Sequence, residues 1–84
     1  MTMKGKVVVI TGAGFPNGIG AGIARCFAAE NAIVIITDLE GAPLDETIAS
    51  ISGEVFGMIA DASSQESMDK AADQIIKEHG KIDV

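Results

Sequence analysis

The chain contains neither tryptophan nor tyrosine, and Cys26 is its single cysteine. One thiol excludes an internal disulfide, and a lone cysteine within a helix is typical of a small apolar packing residue. No apolar run approaches the ~20 residues that a membrane span requires, and the first residues lack the pattern of a secretory signal peptide. We therefore predict a protein of the reducing cytoplasm without a membrane segment.

Basic residues are also scarce. Six Lys and Arg face twelve Asp and Glu, which gives a formal net charge of −6 at pH 7. No aromatic residue interleaves the basic pair Lys4 and Lys6, so nucleic acid is not expected as a partner. Hydrophobic residues make up 48% of the 84 residues, which predicts one small folded domain over residues 1–84. A core of this size is marginal without help from a ligand or partner.

The most informative segment is the glycine-rich stretch TGAGFPNGIG, from Thr11 to Gly20. It follows an apolar run and precedes an alanine-rich helical pattern, which is the context of a dinucleotide-binding fingerprint. We expect Gly12 to permit a tight turn, Gly18 to bring the backbone close to a pyrophosphate, and Gly20 to let the helix pack closely. The N–H groups at the start of the helix then favour negative phosphates.

The glycine spacing allows two registers. One starts at Gly14 and reaches Gly18 after three intervening residues, and the other starts at Gly12 with five intervening residues. We prefer the second register because Gly12 directly follows the strand, and it implies a two-residue insertion in the loop. Pro16 has no N–H for a phosphate, whereas Asn17 and Gly18 do.

An aspartate follows each of the next two apolar runs. Asp38 is placed to accept hydrogen bonds from both ribose hydroxyls of adenosine and to repel a 2′-phosphate. The following residues, Leu39 and Glu40, supply no positive charge, which favours NAD over NADP. Asp61 and Ala62 are candidates for contact with the adenine edge. Each aspartate also has a purely structural interpretation, as a strand-end turn or a helix cap.

Apolar runs alternate with helical patterns along the chain. They predict strands over residues 6–10, 32–37 and 54–60, helices over 18–30, 43–51 and 64–79, and the start of a fourth strand over 82–84. Near-continuous apolar strands, each followed by a helix, indicate a parallel sheet covered on both faces. We therefore predict an α/β fold, the N-terminal half of a Rossmann-like doubly wound parallel sheet.

Side-chain spacing predicts which helix faces are apolar. In the first helix the expected apolar residues are Ile19, Ile23 and Phe27. In the last helix they are Met68, Ala72, Ile75, Ile76 and His79. A capping box starting at Ser63 is expected to begin the last helix. Asn31 and Gly80 are expected to end the first and last helices.

These motifs together resemble the N-terminus of a short-chain dehydrogenase/reductase. The resemblance rests on the GKVVVITG segment at 5–12 and on Gly-Ile-Gly at 18–20. Asp38 matches the family's NAD-selecting acidic position, Asp-Ala-Ser at 61–63 is similar to its adenine-contacting motif, and residues 79–84 resemble the approach to its fourth strand. The resemblance covers essentially the whole chain.

The chain departs from the family pattern in two respects. Its glycine loop is two residues longer, and it stops where the family continues with an Asn-Asn-Ala-Gly segment. The family's catalytic Ser and its Tyr-x-x-x-Lys pair lie further on. Because the chain has no tyrosine, no residue of it inherits a catalytic role, and no metal-ligand cluster surrounds His79.

The resemblance implies a partial NAD-binding Rossmann domain over residues 1–84, truncated before the catalytic half. The parent enzyme would transfer hydride between NAD(H) and an alcohol/carbonyl pair, and this chain would bind the ADP part of NAD. The implied cofactor-binding residues are Gly12, Asn17, Gly18, Ile19 and Gly20 for the pyrophosphate, Asp38 with Leu39 for the ribose, and Asp61 with Ala62 for the adenine.

Two other interpretations remain open. Methyltransferases that bind S-adenosylmethionine also place acidic residues after their second and third strands, although they carry a tighter Gly-x-Gly-x-Gly turn. A ligand-free structural Rossmann unit is the third possibility. The short fourth strand is expected to leave an open sheet edge and to deprive the helix 64–79 of its docking surface. This predicts homo-oligomers formed through the edge or the last helix.

Overall fold

The computed structural model describes residues 3–84, in which three strands and three helices alternate. The elements are β1 (Val7–Thr11), α1 (Ile19–Ala29), β2 (Ile33–Asp38), α2 (Leu44–Ala49), β3 (Val55–Ile59) and α3 (Gln65–His79). Every predicted strand and helix before residue 80 is present, and each bound agrees with the prediction to within two residues.

The three strands form one parallel sheet in the order β1-β2-β3. α1 and α2 cover one face, where Val8, Val34 and Val55 lie in the core. α3 covers the other face, where Ile75 packs against Val7 and Ile35. Because neighbouring residues of β1 and β2 are buried on opposite faces, these strands are apolar up to their last residues, Thr11, Thr37 and Asp38. The predicted Rossmann-like parallel sheet is confirmed.

Residues 82–84 lie along the other edge of β1. The N–H of Asp83 donates to the carbonyl of Val7 at 2.8 Å, and the N–H of Val9 donates to the carbonyl of Val84 at 2.9 Å. The Asp83 carboxylate also accepts a hydrogen bond from the Val7 N–H at 2.8 Å. The segment therefore pairs with β1 on the expected side, although it is not a regular strand.

The apolar face predicted for α1 is wrong. Ile19 is 86% exposed and Ile23 is 44% exposed, and of the three predicted residues only Phe27 packs against the core. The buried residues are Ala21, Ala24 and Ala28. α1 lies so close to the sheet that its inner face carries alanines, and its larger side chains lie on the outer flank.

The start of α3 also differs from the prediction. The N-cap is Ser64 rather than Ser63, because the Ser64 hydroxyl accepts a hydrogen bond from the N–H of Ser67 at 3.2 Å. The Ser63 side chain instead bonds to Asp61. Both serines fit the sequence signature of a cap, and only the position of the turn distinguishes them.

The predicted apolar stripe of α3 is only partly correct. Of its residues, Ile75 is buried, whereas Ile76 is 48% exposed. The second buried residue is Ala71, which the prediction missed. The expectation that α3 has no docking surface is wrong, since Ile75 packs against Val7 and Ile35.

Two helix ends agree with the sequence. Asn31 has φ 66° and Gly80 has φ 86°, which are the left-handed conformations expected after α1 and α3. Within residues 3–84, none of the helices has the length and apolarity that crossing a bilayer requires.

Candidate nucleotide-binding site

The loops that follow the three strands meet at the carboxyl edge of the sheet. The N–H of Ala13, just after β1, donates to the carbonyl of Thr37 at 3.0 Å. The N–H of Ala60, just after β3, donates to the carbonyl of Asp38 at 3.0 Å. In open α/β sheets ligands bind outside this edge, so the structure brings the candidate residues to the expected place.

Two glycines of the loop have clear structural reasons. Gly12 has φ 66°, a left-handed conformation directly after β1. A Cβ on Gly20 would lie 2.9 Å from both the Ala13 Cα and the Gly12 carbonyl oxygen. Only a glycine lets α1 approach the loop this closely, as the sequence predicted. The structure agrees with the register that begins at Gly12.

The lengthened part of the loop forms a compact turn. The N–H of Gly18 donates to the carbonyl of Phe15 at 3.0 Å and closes the turn. Pro16 stands at the second position of this turn, where its fixed φ is favourable. The N–H of Gly18 is therefore used by the turn in this structure, and the contact of Gly18 with a phosphate stays a prediction. The insertion folds on itself and leads directly into α1.

The first turn of α1 presents unused donors. An α-helix leaves its first N–H groups without intrahelical partners, and no hydrogen bond among residues 3–84 uses those of Ile19, Gly20 or Ala21. Gly18 is the N-cap and supplies no side-chain cap, and the first turn contains no acidic residue. The positive end of the helix dipole is therefore open to an anion.

Asp38, the last residue of β2, holds the loop from the side. One carboxylate oxygen accepts a hydrogen bond from the N–H of Gly14 at 3.0 Å, and the other accepts from the N–H of Leu39 at 2.8 Å. Each carboxylate oxygen can accept more than one hydrogen bond, so the group keeps capacity for a ligand. Leu39 is exposed beside it.

Asp61 is organised by the turn that follows β3. One of its carboxylate oxygens accepts from the hydroxyl of Ser63 at 2.6 Å and from the N–H of the same residue at 2.9 Å. Its own N–H donates to the Ser67 hydroxyl at 2.9 Å. Ala62 is exposed next to it. The turn therefore involves one of the two carboxylate oxygens of Asp61, and the structural interpretation of this residue applies to that oxygen.

A model of the short chain dehydrogenase family matches residues 6–84. The chain belongs to the short-chain dehydrogenase family. It is 39% identical over 85 residues to meso-2,3-butanediol dehydrogenase of Serratia marcescens, with 100% of this chain and 33% of that protein covered. It is 36% identical over 84 residues to galactitol 2-dehydrogenase of Agrobacterium fabrum, with 100% and 32% covered. The chain thus spans about one third of the length of these relatives.

Solved structures agree with this assignment. A short chain dehydrogenase from Mycobacterium smegmatis superposes with a TM-score of 0.85 at 34% identity, covering 96% of this chain and 35% of that chain. The 3-ketoacyl-(acyl-carrier-protein) reductase of Brucella melitensis, solved with NADH, gives 0.84 at 34% identity, covering 98% and 33%. Short-chain dehydrogenases use nicotinamide cofactors, and the methyltransferase interpretation is not favoured.

The sequence analysis missed three contacts at this edge of the short-chain dehydrogenase fold. Gly14 contacts Asp38, Thr47 of α2 donates to the loop, and Arg25 of α1 does the same. The extra glycine in the loop was the only sign of these contacts in the sequence. The partners are distant along the chain, so no local pattern indicates them. His79 packs against the ring of Phe56 at 5.1 Å. No cluster of three or more potential metal-binding side chains occurs within the described part of the chain.

The Ser63 contact predicts a measurable change in the pKa of Asp61. The hydroxyl of Ser63, followed by its N–H, lowers the pKa of Asp61 below the ordinary value of 3.8. Because the folded-state pKa is depressed, this contribution to stability is present above pH 3.8 and is lost as the pH falls through the folded-state pKa. We expect Ser63→Ala to raise the pKa of Asp61 toward 3.8, as measured by NMR titration of the carboxyl carbon.

The neighbouring Ser64→Ala variant is the matched control. It removes the cap of α3 and is expected to lower the free energy of unfolding by about 0.5–2 kcal/mol, while the pKa of Asp61 stays where it is. If the pKa of Asp61 moved in Ser64→Ala and stayed constant in Ser63→Ala, the assignment of the two hydroxyls would be wrong.

Proposed function

We propose that this chain forms the adenosine-side half of the cofactor site of an NAD-dependent short-chain dehydrogenase and binds the ADP part of NAD. The observation that carries the proposal is the hydrogen bond between Gly14 and the Asp38 carboxylate. It joins the loop that leads to the open helix end of α1 to the acidic residue at the end of β2. An anion site and an acceptor for ribose hydroxyls thereby lie side by side.

The residues fit an ADP group in the following way. The backbone of the loop and of the first turn of α1 receives the pyrophosphate, through Gly12, Asn17, Gly18, Ile19 and Gly20. In this assignment Gly18 contributes its small size rather than its N–H, which the turn already uses. Asp38 and Leu39 face the ribose. Asp61 and Ala62 contact the adenine edge, with the second carboxylate oxygen of Asp61 as an acceptor.

The same site favours NAD over NADP. The Asp38 carboxylate would lie near the 2′ position of the ribose, and a 2′-phosphate would be repelled by it. The next two positions are Leu39 and Glu40, so no cation follows β2 directly to offset that repulsion. The net charge of −6 adds to the repulsion.

In the whole protein, hydride transfer between NAD(H) and an alcohol/carbonyl pair is the proposed reaction. The nicotinamide ring supplies the hydride chemistry when the cofactor is bound. The contribution of this chain is to bind and orient the adenosine side, and none of its residues is assigned a catalytic role. A cytoplasmic setting completes the proposal.

Self-association is proposed for the free edge of this sheet. An apolar groove of about 300 Å³ runs between α3 and the segment 82–84, lined by residues that include Val9, Met68, Ile75 and Val84. A second copy that covered this groove would bury apolar surface and complete the sheet edge. A single monomeric species in light scattering at high protein concentration would contradict this proposal.

The cofactor proposal predicts that ADP-ribose raises the melting temperature of the chain. A ligand that binds only the folded state stabilises it by RT ln(1 + [L]/Kd), which is about 1.4 kcal/mol at ten times Kd. For a domain of this size 1 kcal/mol corresponds to a shift of about 4–8 °C. We expect no comparable shift with 2′-phospho-ADP-ribose or with S-adenosylmethionine.

The outcomes separate the interpretations. A cooperative melt that none of the three ligands shifts would leave the ligand-free structural unit as the better description. A shift with S-adenosylmethionine alone would support the methyltransferase class instead.

A further inference from the structure

The lengthened glycine loop is held by side chains from two helices outside it. The hydroxyl of Thr47, on α2, donates to the carbonyl of Gly14 at 2.9 Å. The guanidinium of Arg25, on α1, donates to the carbonyl of Pro16 at 2.8 Å. Both carbonyls belong to the loop segment that precedes the open end of α1, so both contacts fix its path.

Thr47 is unusual because it is a polar residue in the core with 0% exposure. Its hydroxyl also lies 3.1 Å from the carbonyl of Pro43, one turn earlier in the chain. A buried threonine in a helix normally satisfies its hydroxyl with such a local carbonyl. The second acceptor, Gly14, is 33 residues away in sequence, so this hydroxyl also fixes the loop against α2.

Ser50 connects the two contacts. Its hydroxyl donates to the carbonyl of Thr47 at 2.7 Å and accepts from the Arg25 guanidinium at 3.2 Å. Arg25 therefore bridges the loop and the end of α2. One hydrogen-bonded network links α1, α2 and the lengthened loop.

Gly14 is closely surrounded by the β2–α2 region. A Cβ at this position would lie 2.7 Å from the Cβ atoms of both Ala42 and Asp38. The N–H of Gly14 is bound by Asp38 at 3.0 Å and its carbonyl by Thr47 at 2.9 Å. Both polar groups of this residue are therefore fixed by side chains from the β2–α2 region.

We infer that Thr47 is a positioning residue for the pyrophosphate of the cofactor, with Arg25 as its support. Thr47 does not touch the ligand. Its hydroxyl holds the loop in the one path that presents the free N–H groups of Ile19 and Gly20 at the start of α1. The inference rests on the proposed function, since it assumes that an ADP group binds there.

The test compares Thr47→Val with Thr47→Ser. Valine has nearly the same shape but no hydroxyl, so the buried carbonyl of Gly14 loses its donor, whereas serine keeps the donor. Dissociation constants are measured for ADP-ribose, which carries the pyrophosphate, and for adenosine, which does not. We expect Thr47→Val to weaken ADP-ribose about tenfold, or about 1.4 kcal/mol, and to change the affinity for adenosine less than about twofold. Thr47→Ser is expected to retain the affinity for ADP-ribose to within about threefold.

A second pair of variants tests the other contact. Arg25→Met removes the donor to the Pro16 carbonyl while keeping an aliphatic side chain, and Arg25→Lys restores one donor. We expect Arg25→Met to weaken ADP-ribose about threefold to fivefold, and Arg25→Lys to recover part of that loss. Amide hydrogen exchange of Gly14, Phe15, Asn17 and Gly18 without ligand is expected to be faster in Thr47→Val than in Thr47→Ser.

The results distinguish this inference from the proposed function. If the unsubstituted chain binds no ADP-ribose, the proposed function fails and no site remains for Thr47 to position. If the unsubstituted chain binds and Thr47→Val weakens adenosine and ADP-ribose equally, or leaves both unchanged, Thr47 is only a structural residue and the inference is overturned. If Thr47→Val does not fold, unchanged ADP-ribose affinity and loop exchange in Arg25→Met overturn it in the same way.

Discussion

Replacing Gly20 with alanine is expected to lower the free energy of unfolding by about 1–3 kcal/mol, as overpacking of a close contact does. The new Cβ would lie 2.9 Å from the Ala13 Cα and from the Gly12 carbonyl oxygen. Both are backbone atoms at the end of β1, so they cannot rotate away as a flexible side chain would. α1 would have to move outward, and the first-turn N–H groups would move with it.

Gly22→Ala is the matched control in the same helix. Apart from its chain neighbours and the adjacent backbone of α1, no atom lies within 4 Å of a Cβ at this position. Alanine also restricts the unfolded chain, so we expect a gain of about 0.4–1 kcal/mol. Urea or thermal unfolding of the two variants measures the difference in sign. ADP-ribose binding is expected to be lost in Gly20→Ala and retained in Gly22→Ala. If both variants were more stable than the unsubstituted chain, the close approach of α1 to the loop would be wrong.

The contrast between these two glycines shows what a sequence predicts well. The strand–glycine–helix order indicated that α1 packs closely, and Gly20 fulfils the expected role. The same closeness explains why the predicted apolar face of α1 was wrong. Periodicity favoured Ile19 and Ile23 as buried residues because they are the larger apolar side chains, yet the narrow space beneath the helix admits only Ala21, Ala24 and Ala28.

The strands were the most predictable part of the fold. The runs of β1 and β2 are buried because helices cover both faces of these strands, so no alternation of apolar and polar residues has to be assigned to a face. β3 is less buried, since Val55 is buried whereas Phe56 and Ile59 are exposed. At Gly57 of β3 the helix α2 comes close to the strand, because a Cβ there would lie 2.8 Å from the Cδ1 atom of Ile48. Local sequence was therefore sufficient to locate the strands.

The candidate site was less predictable because its decisive contacts are not local. The carboxyl edge of the sheet could be inferred from topology, and it does bring the ends of β1, β2 and β3 together. The donor to the Gly14 carbonyl, however, is Thr47, whose sequence surroundings resemble any short amphipathic helix. The turn uses the N–H of Gly18 because of the way in which the two extra residues fold. The number of extra residues alone does not determine that conformation.

In the proposed site, the side chain of Asp38 serves both the fold and the ligand. Its two carboxylate oxygens accept the N–H groups of Gly14 and Leu39, and the proposed ribose contact would use the remaining acceptor capacity. A substitution intended only to change cofactor selectivity would therefore also loosen the glycine loop. In the proposed site, selectivity and loop order would therefore be coupled through this carboxylate.

Two substitutions at Asp38 are expected to separate these roles. Asp38→Ala removes both acceptors, and we expect it to lower the free energy of unfolding by about 1.5–3 kcal/mol, the range for hydrogen bonds to a charged group. Asp38→Asn keeps one acceptor oxygen and should lose about half as much. Thermal unfolding and the hydrogen exchange of the Gly14 amide measure both effects.

We expect the preference for ADP-ribose over 2′-phospho-ADP-ribose to depend on the negative charge of Asp38 rather than on its hydrogen bonds to the loop. The repulsion between two charges about 4 Å apart is about 1–4 kcal/mol between bulk water and a protein surface. Its removal in Asp38→Asn should therefore reduce the preference for ADP-ribose over 2′-phospho-ADP-ribose by about fivefold or more. Glu40→Gln is the control, because it makes the same change in net charge at a neighbouring exposed residue.

The control decides between a local and a global origin of selectivity. If Glu40→Gln reduced the preference as much as Asp38→Asn, the net charge of −6 would account for it and the assignment of Asp38 to the ribose would be wrong. If only Asp38→Asn reduced it, the repulsion must come from a carboxylate close to the 2′ position. Because Asp38 is fixed by its bond to the loop, its distance from a ribose bound beside that loop varies little. A rigid carboxylate of this kind excludes a 2′-phosphate more effectively than a mobile one, which would turn toward solvent.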